Sequence, residues 1–538
     1  MKRGGWLVAG ALLAGALFCS SLGVLWPLAP IDLVVPERQL VRQALGFLEQ
    51  RGFLLGGYDS AEWLRVDAPG LDYVERAFGK ARADEWIRAG LPLYEYRVAF
   101  KRAGDPLVVR VSLHPDRGAL GWTAELPRDL AGERLDAVSA RTIAQREIEP
   151  ALGLDLDQWQ ETSFSTELLP ARVDHRLVYE RQLVEHPELR ERLSVVVAGD
   201  RVATAVRSIV VPPSAERQAR RGEAASVALE SFGFLLLGIA AAAAFVVFLR
   251  RISAGEVRLG RAAGWPVVVF VCFTVASVLD SFRLFLGWDP LWPRAVSAFR
   301  DLLLDSLTQV WVLLVLLAVV AAGDALDRAS GANRGRSLWL LARGRVADRS
   351  VALASGRGFL IGLACGGVMA SIVVLLHQIG VARSSIQPRG FFFYPLNSEA
   401  PAITTLLFFF GVSLAEELGY RFFGGTWLEG LTRRRWLAVV VPALVYGLTH
   451  TGLDFLPPAE PFWARPLVLT AVGCVWGWAF LRYDALTVVL SHFTADLFIF
   501  NWPRLASGEP TAVTLALVTI GVPLLPALAW PWIGSRKG

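Results

Sequence analysis

From about residue 229 to residue 532 the chain repeats one pattern, an apolar run of about twenty residues followed by a short loop, every second one rich in arginine. A bilayer core about 30 Å thick needs about 20 apolar residues to be crossed as a helix, and backbone groups inside it must find their partners within the chain. The pattern therefore points to a polytopic helical bundle. Spans are expected near 229–249, 265–287, 302–323, 358–378, 401–424, 436–453, 465–481, 484–500 and 510–532. Residues 1–30 open with Lys2 and Arg3 and continue with about 25 mostly apolar residues, longer than a signal-peptide core, so they read as one more anchor.

Between these elements, residues 31–226 have the mixed charge of a water-exposed domain. Stretches such as YEYRVAFKR, LVVRVSLHP and SVVVAGDRVATAVRSIVV alternate as half-buried strands, and RQLVRQALGFLEQRGF and ARTIAQREIEPALG read as amphipathic helices. The helix-then-strands pattern occurs twice, which suggests a duplicated module. The expected fold is thus an all-α polytopic membrane bundle of about ten transmembrane helices with an inserted extracytoplasmic α+β domain. The inserted domain reads as a sensing or spacer unit with an unidentified partner.

Charge sets the orientation. Arg250, Arg251, Arg258 and Arg261 follow the second span, Arg328, Arg334, Arg336, Arg343, Arg345 and Arg349 the fourth, Arg433, Arg434 and Arg435 the sixth, and Arg482 the eighth, while Arg536 and Lys537 end the chain. By the positive-inside rule these loops are cytoplasmic and residues 31–226 lie outside. A multi-pass protein of the bacterial plasma membrane is expected. The net charge of +5 belongs to these loops rather than to a basic stripe on a soluble fold, so no nucleic-acid partner is implied. Cys19, Cys272, Cys365 and Cys474 all sit in apolar segments without a CxxC, so neither a disulfide framework nor a cysteine-based zinc site is expected.

His114, His175 and His186 lack metal-ligand spacing and read as surface residues, and His377 as an interfacial one. The polar residues of the last third are different. Glu416, Glu417 and Arg421 interrupt one span, Tyr446 and His450 the next, and His492 and Asp496 a third. Glu417 and Arg421, Tyr446 and His450, and His492 and Asp496 are each four apart, so each pair shares one helix face. A charge at mid-span costs about 2.5–3.5 kcal/mol on insertion scales. Three readings compete. Arg421 snorkels, with Glu417 as its ion pair and the histidines as interhelical glue, in a non-proteolytic scaffold or immunity protein; or the cluster is an ion pathway of a transporter; or it is a hydrolytic centre. The first leaves Glu416 without a partner, the second finds few matching polar residues in the earlier helices and no inverted repeat, and the third has one carboxylate held ionised by Arg421 and the other poised as a base. Two histidines and a carboxylate also meet the needs of a catalytic zinc, although HExxH is absent.

EELGYR at Glu416–Arg421, YGLTH at Tyr446–His450 and HFTAD at His492–Asp496 resemble, in order and spacing, the EExxxR, F/YxxxH and HxxxN/D motifs of the CAAX-protease and bacteriocin-processing (CPBP, or Abi) family of intramembrane endopeptidases. The resemblance covers roughly residues 355–502 and marks 355–538 as a protease-like unit after the helices and loop of 227–354. It implies that Glu416, assisted by His450, activates water, that Glu417 and Arg421 form a supporting ion pair, and that His492 with residue 496 stabilises the oxyanion. Asp496 donates a hydrogen bond only when protonated, unlike the Asn found there in other members. Glu416, His450 and His492 are the residues that would hold a zinc ion. The implied substrate is a membrane-presented peptide or protein.

Overall fold

The computed structural model describes residues 2–21, 37–114, 117–183, 186–382, 400–452, 461–501, 504–505 and 508–533. The end of the N-terminal anchor, the start of the inserted domain at 31–36, and most of the loop TGLDFLPPAEPFW lie outside the described residues.

Residues 37–210 build one eight-stranded antiparallel sheet in the order β1-β2-β3-β4-β8-β7-β6-β5, with β1 Asp59–Val66, β2 Tyr94–Arg102, β3 Asp105–His114, β4 Gly118–Glu125, β5 Gln160–Leu168, β6 Val173–Leu183, β7 His186–Ala198 and β8 Arg201–Val210. Two four-stranded meanders thus meet through their last strands, Trp122 opposite Ala205. Each meander follows a helix, Glu37–Glu49 or Ala137–Leu152. Asp136 caps the second of these by accepting from the Ser139 N–H, and Gly153 at φ 62° ends it in the left-handed conformation that a residue with a Cβ resists. His114 and His175 are not at the surface. Both are buried, because each imidazole Nε2 bonds a carbonyl, that of Ile87 at 3.0 Å and that of Leu135 at 2.9 Å.

Seven described helices are long and apolar enough to cross a membrane, and three more apolar helices are shorter: Leu7–Ser20, Arg435–Thr449 and Ala485–Phe500. Several differ from the expected spans. The helix Pro213–Ser253 begins well before residue 229 and runs directly on from β8. The span expected at 265–287 is broken at Asp280, which leaves helical geometry and caps a second short helix, Ser281–Gly287, by accepting from the Arg283 N–H. The stretch 510–532 is likewise divided around Pro523. Residues 465–500 do resolve as two helices, Ala464–Arg482 and Ala485–Phe500.

The sheet is fastened to the bundle at this break. Lys101 Nζ donates to the carbonyls of Phe285, Leu286 and Trp288 at 2.9, 3.2 and 2.8 Å, and Ala99 packs with the rings of Phe285 and Trp288. Within the bundle, the helix Arg349–Gln378 lies against Ala485–Phe500 through Gly358 and Gly362. A Cβ on Gly358 would stand 2.8 Å from the Thr487 carbonyl, and one on Gly362 would stand 2.6 Å from the Thr494 Cβ. Small residues spaced four apart let apolar helices approach closely where no hydrophobic force drives them together.

Candidate active site

The helix Pro401–Glu417 ends on the paired glutamates, and the backbone then widens into a π-helical stretch, Leu418–Gly425, before resuming as Thr426–Thr432. Such widened turns shift side chains off the regular helical face and recur at functional sites. The two glutamates precede it on the regular helix, where neighbouring residues point about 100° apart, so their carboxylates meet different surroundings. The Glu417 side chain is sealed at 1 % exposure, whereas that of Glu416 is 23 % exposed and lines a cavity of about 220 Å³ with Tyr446, His450, Trp476, His492 and Asp496.

Arg421 accounts for the sealed carboxylate. Its Nη1 donates to Glu417 Oε1 at 2.9 Å and its Nη2 to the Gly473 carbonyl at 3.3 Å. Its guanidinium lies 4.9 Å from the Tyr446 ring and 5.3 Å from that of Trp476, within cation–π range. Position 473 must be small, because a Cβ there would stand 3.0 Å from that same nitrogen. Arg421 therefore does not snorkel. It is buried at 1 % exposure and neutralises Glu417 inside the bundle.

Glu417 has a second bond that spacing within one helix does not reveal. His492, on Ala485–Phe500, places Nδ1 at 2.9 Å from Glu417 Oε1. A carboxylate only accepts, so Nδ1 carries the proton and Nε2 is turned the other way. His492 Nε2 is 3.9 Å from Glu416 Oε2 and 3.5 Å from Asp496 Oδ2. The Trp476 indole stacks on this imidazole, with centroids 4.1 Å apart and planes at 22°, and is itself fixed by its Nε1 donating to Ser491 Oγ at 3.0 Å.

His450 does not fall inside a helix. It is the residue that ends Arg435–Thr449. Its Nδ1 bonds the Tyr446 carbonyl at 2.7 Å, so that nitrogen too is a donor and Nε2 faces Glu416 Oε1 at 3.4 Å. Two imidazole Nε2 atoms, one from a helix end and one from within another helix, thus approach the two oxygens of one carboxylate, and among the described residues buried Glu416 Oε2 has no direct hydrogen-bond partner. Asp496 lines the same cavity at 17 % side-chain exposure, near Ser413 Oγ at 3.5 Å. All seven polar residues singled out in the last third of the sequence, Tyr446 among them, meet here. Trp476 and Ser413 were not, because a Trp or Ser in an apolar helix carries no sequence signal that separates it from packing. Among the described residues, no group of three His, Cys, Asp or Glu side chains is disposed to hold a metal ion.

A second, more apolar cavity of about 450 Å³ reaches Glu416 and His450 from another side, walled by Phe234 and Leu237 of Pro213–Ser253 and by Trp311 and Val315 of Arg294–Ser330.

A bundle of apolar helices thus gathers paired carboxylates and imidazoles at one cavity. The family model of the type II CAAX prenyl endopeptidases, Rce1-like, matches residues 398–498, a segment that contains all seven. The match supports a CAAX-type intramembrane protease, and with the apolar helices it indicates a multi-pass integral membrane protein. No curated protein and no solved structure matches the chain.

Proposed function

We propose that the protein is an intramembrane endopeptidase of the CPBP type that hydrolyses peptide bonds of membrane-presented proteins or peptides. The observation that carries this reading is Glu416, a cavity-lining carboxylate facing the Nε2 atoms of His450 and His492 at 3.4 and 3.9 Å. Those separations exceed a direct hydrogen bond. They suit a water molecule shared by Glu416 and His450, from which Glu416 takes a proton as the oxygen attacks the scissile carbonyl. His492 already gives its Nδ1–H to Glu417, so it donates to the developing oxyanion from Nε2 only as the doubly protonated imidazolium. Asp496 orients that imidazole or, when protonated, donates beside it. Glu417 and Arg421 hold the arrangement and touch no substrate.

Glu416, His450 and His492 are the groups that would hold a divalent ion such as zinc. As they stand they are not disposed as a ligand set, so each step above runs on protein groups alone. The 450 Å³ apolar cavity supports a substrate that arrives from the bilayer, since Phe234 and Trp311 in its wall are more than half exposed on the bundle surface. Arginine-rich loops support the bacterial plasma membrane, with the sheet domain outside the cytoplasm.

Comparison of membrane peptides from cells carrying the parent or the Glu416→Gln chain tests the proposal. A peptide set present only with the parent is expected. Identical peptide profiles from two chains expressed at equal level would reject it, and a pH-dependent ion flux lost with the same substitution would favour a transporter.

A further inference from the structure

The sheet domain has a cleft that no step of the proposed hydrolysis uses. It has a volume of about 600 Å³ and lies between the end of the helix Lys80–Arg88 and strands β6, β7 and β8. Trp86, Gly90 and Leu91 come from the end of the helix Lys80–Arg88 and its exit, while Gln158, Arg181, Leu183, Glu191 and Arg207 come from the second half. Its volume falls within the range of small-ligand sites.

The charges in this cleft do not balance. Arg181, opposite Glu191 across β6 and β7, gives its Nε to Glu191 Oε2 at 2.9 Å, and Arg207 on β8 gives its Nε to Glu191 Oε1 at 2.6 Å. Glu191 is wholly buried, so one carboxylate orders two guanidiniums and the described lining keeps one positive charge in excess. Both guanidiniums reach the cleft, at 24 % and 11 % side-chain exposure, so an anion entering it meets that excess charge. The two forks are also held stiff. Each uses its Nε and Nη2 on Glu191, and the Arg181 guanidinium lies over the Trp159 ring at 4.6 Å. Glu191 takes the Nε–Nη2 edge of each guanidinium, so a further carboxylate or phosphate would meet the Nη1 edges, which that pairing holds in place. A net excess of one charge suits a monoanion, and the walls of Trp86, Leu91 and Leu183 suit an apolar body attached to it.

We infer that the sheet domain binds the free C-terminal carboxylate of a short peptide whose last side chain is apolar, with Arg181 and Arg207 on the carboxylate and Trp86 and Leu91 against the side chain. The inference stands apart from the hydrolytic reading, since it uses none of the seven residues around Glu416.

Calorimetric titration of the full chain in detergent tests it with three probes: Ala-Ala-Phe as the free acid, the same peptide as its C-terminal amide, and inorganic phosphate. The free acid is expected to bind saturably and the amide at least about tenfold more weakly, with affinity for the acid falling as salt rises. Arg207→Gln and Arg181→Gln should each weaken the acid about tenfold. Trp86→Ala, which leaves the ion network whole, should weaken it several-fold and so decides the matter if the arginine variants do not fold. Equal binding of acid and amide, binding of phosphate alone, or no binding of any probe would each overturn the inference.

Discussion

Arg421→Ala should damage stability and activity together, for a reason that can be worked from the structure. Glu417 is 2 % exposed, and Arg421 is its ion-pair partner at 2.9 Å. Removing one partner of a buried pair leaves the other charge uncompensated, at a cost of about 3–5 kcal/mol. Contacts of the guanidinium with the Tyr446 and Trp476 rings are lost as well. At about 2.1 cal/mol/K per residue over 538 residues, a loss of this size corresponds to a fall in melting temperature of about 3–5 °C. The double variant Glu417→Leu/Arg421→Met removes both charges at similar volume and should regain most of that loss, because well-packed apolar pairs often replace buried ion pairs without penalty. It should remain inactive, since His492 Nδ1 then has no Glu417 carboxylate to orient it. The assay is a tryptophan-fluorescence melt in detergent beside peptide cleavage at one fixed temperature. A single variant that melts within about 2 °C of the parent would refute the reasoning about charge burial.

Three other outcomes are expected. Trp476→Leu removes the indole stacked on His492 and should lower kcat about tenfold with little change in KM, since the indole orients the imidazole, while Trp476→Phe recovers part of it. Lys101→Met leaves three carbonyls at the domain junction without their donor and should speed proteolysis between the sheet and the bundle, while leaving cleavage at the membrane site near the parent rate. Tyr58→Phe should change the acid limb of sheet-domain stability. The Tyr58 hydroxyl donates to Asp105 and holds that carboxyl below its ordinary range, so its contribution is present above about pH 4 and is lost as pH falls through the depressed value. Melts from pH 7 to pH 3 should show the parent's advantage constant at the upper end and shrinking at the lower.

The three motif pairs were legible in the sequence because a period near 3.6 puts residues four apart on one face, and apolar surroundings made each charge conspicuous. The same logic found the Glu417–Arg421 pair. It did not find that His492 binds Glu417 through one nitrogen and faces Glu416 with the other, because that depends on how two helices are rotated against each other. Nor did it find the π-helical stretch from Leu418, which no local composition announces. In the sheet domain, alternation located the strands in YEYRVAFKR and SVVVAGDRVATAVRSIVV. It misjudged His114 and His175, since a histidine inside a strand pattern reads as exposed until its carbonyl partner is known. The break at Asp280 escaped the span count because capping by a side chain in an apolar run looks like an isolated charge.

Glu416 is the residue on which the account depends, and one measurement addresses it directly. The purified chain in detergent, given a synthetic membrane-spanning peptide it cleaves, is compared with Glu416→Gln by mass spectrometry of the products and by melting temperature. Loss of a general base is expected to slow cleavage by about 10²–10⁴-fold, at an unchanged melting temperature. Cleavage by Glu416→Gln at a rate comparable with the parent's would contradict the assignment of Glu416 as the group that activates water.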